Sequence, residues 1–177
     1  MVQSVDKSNN DAFAVSLVTP WIKGEMFVGQ DDFLKIKMPN TVFFGLIPAG
    51  QTKDNSPLAN VSNVYTSRSY KLLNIIIGLL LVIFGFSSFG SDAGTAIILL
   101  VIGVLLMGSG IKTVFAYERS GVEKRIELPF FEANHAEEFE EEVVSRIAAF
   151  QDDRNVRKHS ESNAQTITDA IRESHKD

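Results

Sequence analysis

Three histidines, a run of glutamates, scattered serines and a glycine-rich stretch are the residue types in this chain that could do chemistry. His135, His159 and His175 form no HExxH pattern and no i,i+4 pair, so a preformed metal ligand set is not expected and solvated histidines are. The acids from Glu137 to Glu142 spread around a helix rather than converge, and the glycine-centred loop of a calcium site is missing. No serine sits in a GxSxG turn or beside a candidate base. Gly103, Gly108 and Gly110 lack the Gly-Lys-Ser/Thr ending of a phosphate loop. With no cysteine, disulfides and thiolate chemistry drop out. The expectation is a non-enzymatic protein with no catalytic residue, metal or cofactor.

Those glycines lie in the feature that dominates the chain. Leu72–Phe89 and Ala96–Phe115 are two apolar runs, separated by the polar break Gly90 to Thr95. At about 1.5 Å per helical residue each run would cover the roughly 30 Å hydrocarbon core of a bilayer. The sequence therefore predicts a transmembrane helical hairpin over residues 71–116, with helices at about 72–89 and 96–115. Gly78 and Gly85 are seven apart, as are Gly103 and Gly110, which keeps each pair on one face for close helix packing. That packing is expected within the hairpin first and between copies second.

Arg68 and Lys71 precede the first run, Lys112 and Arg119 follow the second, and the break carries only Asp92. Positive flanks stay in the cytoplasm, so a multi-pass membrane protein with both termini cytoplasmic is expected. The same four cations are candidates for headgroup contact. Met1–Asn10 is polar and lacks the core of a secretory signal. Residues 1–70 hold six basic and six acidic groups, whereas residues 118–177 hold nine and fifteen. So acidic a second part disfavours nucleic acid as a partner.

Residues 1–19 read as an N-terminal extension and 20–70 as β structure. Leu34, Ile36 and Met38 alternate with Lys35 and Lys37, the period of a strand with one wet face. Further strands are expected at Gly24–Gly29, Thr41–Ile47 and Pro57–Thr66, the last bulged near Ser62-Asn63. Pro48-Ala-Gly50 reads as a turn and Gln51–Ser56 as loop. After the hairpin, Val114–Arg119 and Val122–Leu128 should pair across Ser120-Gly121. Asn134 and Glu137 have the spacing of a capping box, opening a helix in which Phe139, Val143, Ile147 and Phe150 form one apolar stripe. Neither half has enough partners alone, so residues 20–70 and 117–150 are expected to close one β-rich domain. Residues 151–177 are polar and read as a mobile tail.

The run Pro57 to Val64, the run Gly121-Val-Glu-Lys-Arg-Ile-Glu-Leu-Pro-Phe-Phe131 and the helix beginning Ala136-Glu-Glu-Phe139 resemble the bacterial pleckstrin-homology-like (PH-like) family. The resemblance implies an α+β fold, a bent antiparallel β-sheet or barrel with a C-terminal capping helix, here split by the transmembrane hairpin, and it implies the plasma membrane as the location. Phosphoinositide-binding members carry a basic first turn, whereas Val28–Phe33 is acidic in this chain. Trp21 and the pair Phe43-Phe44 suit core or interfacial anchoring better than recognition. The expected function is a membrane adaptor or scaffold that recruits an unidentified protein. The alternative is a lipid-binding or homo-oligomeric membrane-organising protein. The bilayer is a partner in either case.

Overall fold

The computed structural model describes residues 11–42 and 47–174. Seven strands and three α-helices follow one another as β1 (Ala12–Ala14), β2 (Lys23–Val28), β3 (Phe33–Val42), β4 (Ile47–Pro57), β5 (Val61–Tyr70), α1 (Leu72–Ser88), α2 (Ala93–Ser109), β6 (Ile111–Arg119), β7 (Val122–Pro129) and α3 (Ala133–Ser174). They build an α+β fold with two antiparallel sheets, ordered β1-β2-β3-β4 and β5-β6-β7. The family resemblance implied one bent antiparallel sheet or barrel; the strands are divided here between two sheets.

Leu34, Ile36 and Met38 of β3 are buried, as their alternation with lysine predicts, and they face a core with Phe13, Met26, Phe115 and Tyr117. Burying one face of each sheet fixes the register, because a one-residue slip would turn this set to water. Ser120 and Gly121 adopt positive φ (50° and 82°) to turn β6 into β7. The β5–β6 register shifts between Ser62 and Tyr65, with Asn63 at φ 48°, the bulge expected there.

Elsewhere the elements differ from expectation. The stretch 48–56, expected as turn and loop, lies within a strand (β4) paired with β3 from Phe33↔Pro57 to Val42↔Ile47. It carries almost no apolar residue, so no hydrophobic period announces it; β3 supplies its hydrogen-bond partner. The expected strand Thr41–Ile47 falls partly outside the described residues, and Phe43 and Phe44 lie wholly there. The helix stripe packs as anticipated: Ala136, Phe139 and Val143 are buried, with Ile147 and Phe150 against the same core. Yet α3 does not stop there. It runs to Ser174, through the stretch read as a tail, and residues 151–168 are exposed on every side.

The largest correction concerns the transmembrane hairpin. Both helices form and pack together, but no helix among the described residues is long and apolar enough to cross a membrane. Each has 17 residues, or about 25 Å of rise, short of the roughly 30 Å needed. The discrepancy has a local cause. The second apolar run merges a helix with a strand, because Ile111–Phe115 belongs to β6, where Thr113, Val114 and Phe115 are buried in the sheet. A doubly buried strand and a lipid-facing helix are both continuous apolar runs, and periodicity does not separate them. The expected multi-pass plasma-membrane localisation, with both termini cytoplasmic, is overturned with the span.

Candidate functional site

The helical hairpin leaves and rejoins the body at one point. Tyr70 pairs with Ile111 at the end of the β5–β6 ladder, and the Lys71 amide donates to the Gly110 carbonyl at 2.7 Å. At the far end Asp92 caps α2, accepting from the Gly94 amide at 3.0 Å and the Thr95 hydroxyl at 2.5 Å.

The predicted glycines form the seam between the helices. A Cβ on Gly78 would stand 2.7 Å from the Gly103 carbonyl oxygen, and one on Gly103 would stand 2.8 Å from that of Gly78. Gly85 faces Leu100, and Gly110 faces Ile75 and the Lys71 carbonyl. Ala96 completes the buried set. Most of the other large apolar side chains point the other way. Leu73 (70% exposed), Phe84 (61%), Ile98 (60%) and Val104 (59%) represent a surface covering every face but the glycine seam.

Around the base stands a collar of aromatic residues. Tyr70, Phe130 and Phe131 are each about half exposed, and the two phenylalanine rings meet edge-on at 5.8 Å. A Cβ on Gly108 would contact Leu17 and lie 3.9 Å from Phe130, so the loop between β1 and β2 also reaches the hairpin base. That loop carries Trp21, 72% exposed.

Of the four predicted cations, three gather at this base and one does not. Arg68 and Lys112 line a cavity of about 390 Å³ there, together with Tyr70, Thr113, Phe130 and Asn134. Lys71 pairs with Glu127 at 2.6 Å. The Lys112 ammonium is pulled below the usual lysine range, first by burial and then by Lys71, with Glu127 opposing. Arg119 lies at the opposite end of β6, about 25 Å from the hairpin base. There it contacts Asp54 at 2.7 Å. Asn134 sits inside the first turn of α3 and lines the cavity, and Glu137 is exposed on the same helix. Lys35 and Lys37, on the wet face of β3, pair with Asp31 (2.6 Å) and Glu25 (3.5 Å).

The contact made by Arg119 belongs to a polar network that ties the two sheets together and that sequence reasoning missed. The Tyr117 hydroxyl donates to Asp54 at 2.9 Å, and the fully buried Ser56 hydroxyl donates to the same carboxylate at 3.0 Å. Burial alone would raise the Asp54 carboxyl. The bonds from Tyr117 and Ser56 and the Arg119 charge outweigh it and hold the group below its ordinary value. Burial, then the Asp54 carboxylate, pushes the Tyr117 phenol well up. No sequence signal marks Asp54, since residues 51–56 are uniformly polar.

His135 stacks on Phe13 with ring centroids 3.9 Å apart, and its Nδ1 lies 2.9 Å from Glu132. The other Glu132 oxygen accepts the Ala14 amide at 2.8 Å. These contacts fasten β1 to the start of α3. No group of acids and histidines that could hold a metal occurs among the described residues. No family model, curated protein or solved structure matches the chain.

Proposed function

We propose that this chain is a non-catalytic scaffold that seats its helical hairpin in a lipid layer and presents the two-sheet body beside it. One observation carries the reading: the hairpin shows large apolar side chains on every face except the glycine seam. A helix apolar all round wants an apolar surrounding on all sides, whereas a single protein partner needs only one apolar face. Half-burying each exposed Leu, Ile, Val or Phe contributes about 1 kcal/mol, so the hairpin sums to roughly 15 kcal/mol before immobilisation costs. The reading requires partition into the layer, not passage across it. Tyr70, Phe130 and Phe131 at the base suit the boundary between acyl chains and water. The projecting polar half of α3, residues 151–168, is the element offered to a protein partner.

The test is flotation with phosphatidylcholine vesicles. The full chain is expected to float with them. A variant in which a short Gly/Asn turn joins Lys71 to Gly110, already hydrogen-bonded neighbours, should stay at the bottom and still melt cooperatively. A full chain that stays at the bottom, or an excised variant that floats equally well, would sink the reading.

A further inference from the structure

The cavity at the hairpin base has a composition that the hairpin itself does not explain. It holds about 390 Å³ between the end of β5, the start of β6 and the first turn of α3. Arg68 and Tyr70 are placed on one face of β5 by their i,i+2 spacing, and their partners across the ladder are Thr113 and Ile111. Among the described residues Arg68 has no hydrogen-bond or ion-pair partner, in contrast to Lys71 and Arg119, each committed to a carboxylate. Lys112 adds a second cation to the lining, and Thr113, Asn134 and Tyr70 add polar groups. Among the described residues no carboxylate lines this cavity. Phe130 forms an apolar wall and approaches α2 at Gly108.

From this juxtaposition we infer that the cavity binds the phosphate group of an anionic phospholipid, with Arg68 as its principal contact. The deduction rests on the lipid-seating reading of the hairpin and deepens it. A guanidinium offers a planar fork of donors that matches two phosphate oxygens, and Thr113 and Asn134 supply neutral donors of the kind that complete such a site. The apolar wall and the adjoining hairpin favour a phosphate that carries acyl chains over a soluble one. The free guanidinium has a charge-complementary ligand at the depth where headgroups would lie.

The experiment compares flotation of the full chain on phosphatidylcholine vesicles with flotation on the same vesicles containing a minority of phosphatidic acid. The expected result is tighter binding with phosphatidic acid by about fivefold, matching the ~1 kcal/mol contributed by one Arg near an anionic surface. Arg68→Gln should lose that gain and retain binding to phosphatidylcholine alone. Lys53→Gln, on exposed β4 away from the cavity, should keep the gain. Equal gains in wild type and Arg68→Gln, or equal losses in Arg68→Gln and Lys53→Gln, would overturn the site but leave hairpin seating intact. Displacement of the gain by low inorganic phosphate would overturn the lipid source and assign the cavity to a soluble phosphate. Absence of flotation on both vesicles would overturn the hairpin reading and this one with it.

Discussion

The two-sheet body and the helical hairpin are both rich in Leu, Ile, Val and Phe, yet they dispose of them in opposite ways. In the body the large residues go inside: Phe13, Met26, Leu34 and Phe115 show no exposure, and polar side chains face water. In the hairpin the smallest residues, Gly78, Gly85, Ala96 and Gly103, are the buried ones, and the large residues face out. The body is therefore organised by the hydrophobic effect in water, with dense side-chain packing and a few polar ties. The hairpin is organised by backbone approach, the device helices use when their surroundings are as apolar as their side chains. The difference teaches that one chain carries two solvation requirements, and the Lys71–Gly110 junction is where they meet.

If the body is held as described, its weakest point is polar. Asp54→Ala removes the acceptor shared by Tyr117, Ser56 and Arg119, taking a partner from two buried hydroxyls and a cation. It should cost about 3 kcal/mol in urea unfolding at neutral pH. Because the folded-state carboxyl is held below its ordinary value, wild-type stability from this group is complete above the unfolded carboxylate range. It is lost as pH falls through the folded value. Asp54→Ala should flatten that acid-side loss, and an unchanged pH dependence would break the assignment.

A smaller effect is expected at the hairpin seam. Gly103→Val places a branched side chain against the Gly78 carbonyl and Val82 and should separate the helices at a cost of about 1–3 kcal/mol. Disulfide trapping between cysteines placed in α1 and α2 would report that separation. The body's near-ultraviolet dichroism should not change, and a change there would show the two regions to be one cooperative unit. The smallest effect is expected from truncation after Gln151. The removed part of α3 is exposed along residues 152–168, so unfolding stability should change by no more than about 0.5 kcal/mol. A larger loss would place this half of the helix in the core.

How legible these regions are from sequence follows the same division. The alternation through Leu34, Ile36 and Met38 and the stripe from Phe139 to Phe150 are visible because one side of each faces water. Strand β4 is invisible because its hydrogen bonds to β3, and not its side chains, make it a strand. Arg68, Lys71 and Lys112 are flagged by their position beside the apolar runs. Nothing in that signal distinguishes the unpaired Arg68 from Lys71 bonded to Glu127, or from Arg119, which the length of β6 carries to its far end beside Asp54.

By itself the sequence determined the local periodicities: a paired apolar hairpin with glycine faces, alternating strands, the Ser120-Gly121 turn and a helix with one apolar stripe. Each follows from the side-chain period and backbone permissiveness of a few neighbouring residues. Only the tertiary structure decided where the second apolar run stops being helix. Ile111–Phe115 finds β5 on one side and β7 on the other, and their hydrogen bonds take it into the sheet. Long-range pairing of that kind is absent from any local window, and it shortened the helix enough to overturn the membrane span read from composition.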